Sequence, residues 1–316
     1  MSTTSGTAPY RFSYLPDLHA LPPETQADEI KLHGTFADDR RPGQGQAYYG
    51  IEGQGLIRID PDMRQQTRIV LPEPLQSLNI HSMRLVTLKG EQRLVMTAND
   101  GELVAFVTLD GTLDFSLGRP DLEAYQDPEV PYKPTDTLLI GDTLYVADGY
   151  GAQYVSLFNV ETRQWTGLFG GKSDEAVDGL FGTAHGINTT YDGKHLLIAD
   201  RPHARLQVHT FDGDFVKSYS LPAGAWPCFV DYIEWKGRTL AVIASLFNPD
   251  REHPAPIYIV DAETFEVIST VRPKEELAVE AAQHMHNVAW HIHDDQLYLL
   301  CQSWNPGFYF VLKCID

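Results

Sequence analysis

LYVAD at 144–148 returns as LLIAD at 196–200 and, more loosely, as LYLLC at 297–301. Each copy follows a turn with a polar tip, and another short segment lies upstream of it: PTDTLL at 134–139, AHGIN at 184–188 and MHNVAW at 285–290. Self-similarity that recurs about every fifty residues is typical of repeat architectures, in which each repeat forms one supersecondary unit. Short β-rich runs separated by Asp-Gly and related turn signals make up this unit. The segment 144–148 therefore belongs to a repeated β unit.

Two weaker copies extend the pattern. They run from IHSMRL at 80–85 to RLVMTA at 93–98, and from PCFVDYIEW at 227–235 to TLAVIAS at 239–245. A period of about 40 to 50 residues with about four strands per unit is typical of propeller blades. The 316 residues, less an extension, accommodate six such blades. The sequence therefore predicts an all-β, six-bladed β-propeller with a central channel. A β-sandwich is the competing all-β architecture, but it would not repeat one segment at a fixed period.

The propeller is predicted to be a single domain over 1–316, in which about 1–45 form an N-terminal extension or a segment that closes the ring. The first blade is expected from about His33 to Asp60, and its outer strand is expected to come from the other terminus. PKEELAVEAAQH at 273–284 is the one plausible helix, because Pro273 precedes a helix-favouring run.

Acidic residues outnumber basic ones by 43 to 24, and the formal net charge is −19. Such a charge repels phosphate backbones and anionic lipid head groups, so nucleic acids and membrane surfaces are not the expected partners. The N-terminus lacks a signal-peptide pattern, and no stretch approaches the length of a membrane-spanning helix. Three cysteines are too few for a disulfide framework. We expect a cytoplasmic protein that acts on a small molecule or a short peptide-like substrate.

The innermost strand of each blade lines the channel of a propeller, so the residue that heads each repeat should point at the axis. These heads are His81, Thr135, His185, Cys228 and His286. Histidine thus occupies alternate blades, about 120° apart in a six-bladed ring, and three imidazoles would converge on one point. Three neutral histidines with an open coordination position form a typical catalytic zinc site. The competing interpretation is three ordinary hydrogen-bonded histidines.

At these residues the sequence resembles a known family, the six-bladed peptidyl-hydroxyglycine lyase domain of the peptide-amidating enzyme. The resemblance is clearest over 134–210 and includes PTD at 134–136, DGYG at 148–151, AHGI at 184–187 and ADR at 199–201. That family binds zinc with one histidine from each of three segments, which here correspond to His81, His185 and His286. The resemblance also implies that Tyr150 is a catalytic tyrosine and that Arg201 is an active-site arginine.

The implied chemistry is physically reasonable. A cation favours the phenolate form of a neighbouring tyrosine, which can then take the proton of a substrate hydroxyl bound to the metal. Collapse of that alkoxide to a carbonyl expels the amide nitrogen and yields an amide and glyoxylate. The competing roles are an aromatic residue in a strand-end turn for Tyr150 and an inter-blade salt bridge for Arg201.

The chain also departs from the family pattern. Gly151 stands where the family has a disulfide-forming cysteine, and Asn287 replaces an aspartate that the family links to structural calcium. The arginine that grips the substrate carboxylate has no secure match, and the candidates are Arg40, Arg41 and Arg58. The resemblance therefore does not determine the substrate of this site.

The leading functional hypothesis is a metal-dependent lyase, with zinc as the expected metal, that cleaves a C–N or similar bond of a small hydroxylated substrate. The first alternative is a metal-dependent hydrolase of a lactone or an amide in the same channel. The second alternative is a non-catalytic interaction propeller, because ADRPHARLQVH at 199–209 resembles an NHL repeat.

Overall fold

The computed structural model describes residues 3–25 and 30–316. The parts of the predicted N-terminal extension at 1–2 and 26–29 lie outside the described residues. Regular structure in these ranges is almost entirely β, and the strands form six separate sheets arranged as blades around a central channel. The prediction of an all-β, six-bladed β-propeller is confirmed.

Blades one to three follow one another along the chain, and each has four antiparallel strands. Blade one contains β3 (Ala37–Asp38), β4 (Ala47–Ile51), β5 (Gly55–Ile59) and β6 (Gln66–Ile69). Blade two contains β7 (Ile80–Leu88), β8 (Glu91–Ala98), β9 (Leu103–Val107) and β10 (Leu113–Leu117). Blade three contains β11 (Asp136–Ile140), β12 (Thr143–Ala147), β13 (Tyr154–Asn159) and β14 (Gln164–Gly170).

Blades four and five repeat this arrangement, and blade six draws on both ends of the chain. Blade four contains β15 (Ala184–Thr189), β16 (Leu196–Asp200), β17 (Arg205–His209) and β18 (Phe215–Ser220). Blade five contains β19 (Pro227–Trp235), β20 (Arg238–Ser245), β21 (Ile257–Asp261) and β22 (Val267–Val271). Blade six contains β23 (Met285–His293), β24 (Gln296–Ser303), β25 (Phe308–Cys314), β2 (Tyr10–Tyr14) and β1 (Ser5–Thr7), in that order across the sheet.

The ring is closed by pairing of an N-terminal strand with the last strand of the chain. In β2, Phe12 pairs with Cys314 and Tyr14 pairs with Leu312 of β25. Phe12 is fully buried in the core between blades five and six. Burial of an aromatic side chain of this kind stabilises the fold by about 1.5–3 kcal/mol. The outer strand of blade one is its own β6, so the expectation that the other terminus supplies it was wrong.

The repeated LYVAD-type strands are apolar on both faces because each blade is sandwiched between two others. In β12, Leu144 and Val146 pack into the core shared with blade two, whereas Tyr145 and Ala147 pack into the core shared with blade four. Neighbouring inner strands also contact one another, for example β7 with β11 and β11 with β15. The inner strands therefore present the repeat heads to the channel.

Helical structure is confined to short segments. The α-helix α1 spans Pro273–Leu277, and 3₁₀ turns occur at Pro16–Leu18, Pro23–Thr25, Leu75–Ser77 and Glu123–Tyr125. The predicted helix over 273–284 was therefore too long, because Ala278 adopts the left-handed conformation that ends it. Within 3–25 and 30–316, no helix has the length and apolar character needed to cross a membrane.

Candidate metal centre

The three histidines predicted from the repeat meet in the channel. His81, His185 and His286 are each the second residue of an inner strand, β7, β15 and β23 respectively. Their side chains are buried, and their ring centroids are 4.8 Å apart for His81 and His185 and 5.1 Å apart for each pair that includes His286. Equivalent positions in alternate blades thus bring three imidazoles together, as ring symmetry requires.

Backbone carbonyls fix the tautomers of two of these histidines. His81 Nδ1 lies 2.6 Å from the carbonyl oxygen of Thr135, and His185 Nδ1 lies 3.1 Å from that of Cys228. A carbonyl oxygen can only accept a hydrogen bond, so each Nδ1 carries the proton and each Nε2 keeps its lone pair. The two Nε2 atoms are 3.1 Å apart. Two lone pairs at this distance repel each other, and a cation bound by both would remove that repulsion.

His286 also has ring nitrogens that a cation could bind. It is buried, and neither of its ring nitrogens has a hydrogen-bond partner among the described residues. A buried polar group left unpaired costs about 1–3 kcal/mol, and such groups in native proteins call for an explanation. The donor set is therefore chemically suited to a divalent metal with nitrogen preference, such as zinc.

A fourth histidine, His33, joins the cluster, and the sequence interpretation missed it as a channel residue. Its ring centroid lies 4.4 Å from that of His81 and 4.5 Å from that of His286. The candidate ligand atoms of His33, His81 and His286 all lie within 4.8 Å of one another, so this group, which does not include His185, could hold a metal ion. His185 adjoins the group through its Nε2, which lies 3.1 Å from that of His81. One signal was available, since the His-Gly dipeptide at 33–34 repeats the one at 185–186.

All four imidazoles are held in the neutral form that binds metals. Burial lowers the pKa of His81, His185 and His286 well below its usual value. Burial also lowers the pKa of His33 to about 4, and the nearby positive charge of Arg201 acts in the same direction. Neutral imidazole offers a lone pair to a metal, whereas imidazolium does not.

Tyr150 and Arg201 lie beside the histidines and contact each other. The Tyr150 hydroxyl is 3.1 Å from His185 Nε2, and Arg201 Nη1 donates a hydrogen bond to that hydroxyl over 2.7 Å. Burial raises the pKa of Tyr150, and the Arg201 guanidinium partly offsets this effect because it favours the phenolate. The structure thus brings both predicted catalytic side chains to the histidine cluster.

Arg201 is a buried cation that makes no ion pair with a carboxylate in the part of the chain that the structure describes. Its side chain is almost fully buried, and Nη2 lies 3.0 Å from the Cys228 sulfur. Its Nε has no hydrogen-bond partner among the same residues. Burying an unpaired charge is costly, so this position favours a negatively charged neighbour such as a tyrosinate or an anionic group of a substrate.

The turn that carries Tyr150 is fixed by Asp148. One carboxylate oxygen accepts a hydrogen bond from the Lys133 amide over 2.5 Å, and the other accepts from the Ala152 amide over 2.7 Å and the Tyr125 hydroxyl over 2.8 Å. Burial raises the pKa of Asp148 to about 6 even though these donors favour the charged form. Asp148 therefore acts as a positioning residue for Tyr150.

Close packing at Gly149 makes this turn sensitive to a single methyl group. A Cβ at Gly149 would lie 2.2 Å from the carbonyl oxygen of Ala184, the residue before His185. We expect Gly149→Ala to lower the free energy of unfolding by about 2 kcal/mol, because overpacking against backbone forces both segments apart. Urea unfolding measures this effect. Gly167→Ala in β14 is the matched control, since no atom lies within 4 Å of its Cβ; equal stability of the two variants would contradict the prediction.

A cavity of about 450 Å³ opens on the cluster at His33. Polar and aromatic side chains line it, including His33, Asn79, Asn99, Asp100, Trp304 and Asn305. The Asn99 side-chain oxygen is buried and has no partner among the described residues, so it is free to accept a hydrogen bond from a ligand. This cavity is large enough for a small organic substrate.

The predicted carboxylate-binding arginines do not line this cavity. Arg40 is hydrogen-bonded to Asp231 over 2.5 Å and to Asp38 over 3.0 Å, close to a separate cavity of about 160 Å³. Arg41 pairs with Asp39, and Arg58 lies 3.6 Å from Asp60. These three candidates therefore have acidic partners of their own, away from the cavity at His33.

Comparison with known proteins supports the fold. No family model and no curated protein matches the sequence. A gluconolactonase structure from Xanthomonas campestris aligns with 99% of this chain and 95% of its own, with a TM-score of 0.62 at 11% identity. The β-propeller domain of Cps50 (Swd1) from Myceliophteria thermophila aligns over 90% of this chain and 84% of its own, with a TM-score of 0.53 at 12% identity.

A third match covers a smaller part of a larger protein. Kuenenia stuttgartiensis hydrazine synthase aligns with 67% of this chain at 16% identity and a TM-score of 0.44, and the match spans 53% of that chain. At these identities the two similarities with TM-scores of 0.62 and 0.53 concern the propeller fold alone.

Proposed function

We propose that the protein is a metal-dependent hydrolase that acts on a lactone or an amide of a small molecule at the inner end of the cavity. The observation that carries the proposal is the buried group of neutral histidines, in which His81 Nε2 and His185 Nε2 lie 3.1 Å apart and neither ring nitrogen of His286 has a hydrogen-bond partner among the described residues. A metal site with an adjacent tyrosine and a ligand-sized cavity is suited to hydrolysis. The gluconolactonase with the same fold along nearly the whole chain supports the choice of a lactone.

His81, His185 and His286 would hold the metal, and zinc fits best because all three donors are imidazole nitrogens. A divalent metal bound there supplies Lewis acidity and lowers the pKa of a water molecule or a substrate hydroxyl. Thr135 and Cys228 hold the Nδ1–H groups of two ligands through their carbonyl oxygens, which fixes the ring orientations. Blades three and five, which lack a channel histidine, thus orient the histidines of blades two and four.

Tyr150 is the proposed general base. Its hydroxyl oxygen lies within hydrogen-bond distance of His185 Nε2, so it is placed next to the position that the metal would occupy. Arg201 stabilises the phenolate through its hydrogen bond to the same oxygen. A tyrosine whose negative form is stabilised in this way can take a proton from water and later return it to the leaving oxygen or nitrogen.

A second candidate reaction is a lyase reaction on an N-acyl-hydroxyglycine-like substrate. The observation that favours it is the contact between Tyr150 and Arg201 beside a group of histidines that includes no carboxylate among the described residues. Tyr150 would take the substrate hydroxyl proton, the C–N bond would break as the carbonyl forms, and the proton would pass to the departing amide nitrogen. No water is consumed in this reaction.

Elemental analysis tests the metal on which both reactions depend. We expect one zinc ion per wild-type chain and substantially less zinc in His185→Ala, because removal of a ligand weakens the site. His209→Ala is the matched control in the same blade, since His209 is buried but bonds the Gly213 carbonyl away from the channel. A folded wild-type protein that takes up no divalent metal from a metal-replete buffer would overturn the proposal.

The reaction products distinguish the proposed hydrolase from the lyase. We expect the metal-loaded protein to convert an aldonolactone to its hydroxy acid, which a pH indicator detects. Release of glyoxylate from an N-acyl-hydroxyglycine, without lactone hydrolysis, would establish the lyase reaction instead. Loss of either activity in His185→Ala ties it to the channel.

A further inference from the structure

His33 occupies the boundary between the histidine cluster and the cavity. It lines the cavity of about 450 Å³, whereas its ring also lies 4.4 Å from that of His81 and 4.5 Å from that of His286. His81 and His286 are buried behind it. A ligand that enters the cavity therefore meets His33 before it reaches the other members of the group.

The backbone and the neighbouring rings hold His33 in this position. Gly34 follows it and packs against the Ile80 carbonyl, and the Gly34 carbonyl accepts a hydrogen bond from the Asn287 amide over 3.2 Å. The His33 ring stacks on Trp304 at 5.8 Å, with an angle of 20° between the ring planes. These contacts hold the imidazole beside the rings of His81 and His286.

Asn79 supplies the partner that a ligating imidazole requires. Its side-chain amide lies 3.1 Å from His33 Nδ1. An amide can present its oxygen or its nitrogen at the same place, since the two atoms have nearly the same shape. When the oxygen faces the ring, Nδ1 donates its proton to Asn79 and Nε2 keeps a lone pair for a metal. Ligating histidines in proteins are typically oriented by such a second hydrogen bond.

We propose that His33 is a fourth protein ligand of the channel metal, on the side that faces the cavity. A small molecule that enters the cavity displaces His33 from the metal. The proposal rests on the metal site of the proposed function, but it does not depend on which reaction the site performs. Its consequence is that the cavity-facing coordination position is filled by the protein at rest. Removal of the His33 imidazole leaves three ligands and a permanently open position.

Cobalt(II) provides a test with a spectroscopic readout. We expect Co²⁺ to bind wild type and His33→Ala, with the variant weaker by about tenfold or more and with a changed visible absorption spectrum. Added imidazole should bind the variant and return its spectrum toward that of wild type, because it fills the open position. Wild type should require a much higher imidazole concentration for any spectral change.

Two further proteins keep the test decisive. His33→Gln retains a polar side chain and should show the same loss of affinity, so a folding defect of the alanine variant cannot account for the result. His284→Ala removes another histidine near the cavity, whose ring centroid lies 6.2 Å from that of Trp304. This control should leave the Co²⁺ spectrum unchanged. Identical Co²⁺ affinities and spectra for wild type and both His33 variants would overturn the inference and leave the proposed function intact. Failure of wild type to bind Co²⁺ would overturn both.

Discussion

Replacement of Tyr150 by phenylalanine is expected to lower kcat/KM by about 10²- to 10⁴-fold, the usual contribution of a general acid–base group. The aromatic ring remains, so its packing against His33 and His81 is kept. The variant loses only the hydroxyl that lies 3.1 Å from His185 Nε2 and accepts the Arg201 hydrogen bond. Metal content should stay at one ion per chain, because Tyr150 is not one of the proposed ligands.

The same substitution leaves the Arg201 Nη1 group without its acceptor. A buried charged donor without a partner costs about 1–3 kcal/mol or more, so the variant should also be less stable in urea. Activity must therefore be measured well below the unfolding transition. Tyr145→Phe is the matched control in the same blade, since it removes a hydroxyl that bonds the Phe211 carbonyl away from the channel. Full activity of a metal-loaded Tyr150→Phe enzyme would rule out Tyr150 as the base.

The fold and the convergence of three histidines could be predicted because both follow from the repeat. A blade strand buried on two faces must be apolar along its length, so LYVAD and LLIAD can be recognised in the sequence as copies of one buried strand. Strand heads at matched positions must then face one axis, whatever the intervening loops contain. This reasoning located His81, His185 and His286, whereas Tyr150 and Arg201 were predicted only from the resemblance to the lyase family.

His33 could not be placed by the same reasoning because its blade departs from the repeat. The inner strand of blade one is only Ala37–Asp38 and begins after His33, whereas His81, His185 and His286 each lie within their inner strands. The contact between Arg40 and Asp231 could not be predicted from the sequence either, because Asp231 lies in blade five. Contacts across the channel join residues that are far apart in sequence, and an ion pair of this kind leaves no periodic signal.

The two unpartnered ring nitrogens of His286 have a direct thermodynamic consequence. Substitution with leucine is expected to raise the stability of the metal-free protein by about 1–3 kcal/mol, because two buried ring nitrogens without hydrogen-bond partners are removed. In the presence of zinc, wild type should instead be more stable than His286→Leu. Wild type gains about 4 kcal/mol when the free metal concentration is a thousand times Kd, whereas the variant lacks a ligand and gains little. Urea unfolding with a chelator and with excess zinc measures both differences.

The reversal distinguishes a metal ligand from a structural histidine better than either measurement alone. His291 lies on the same strand, β23, and is also buried, but its Nε2 donates to the Pro61 carbonyl over 2.8 Å. His291→Leu should therefore be destabilised by a similar amount with and without zinc, because it loses a hydrogen bond that the metal does not affect. If His286→Leu behaves in the same way as His291→Leu, the unpaired nitrogens of His286 do not serve a metal. If the order of stability reverses only for His286→Leu, the cost of those nitrogens in the metal-free protein is offset by the free energy of metal binding.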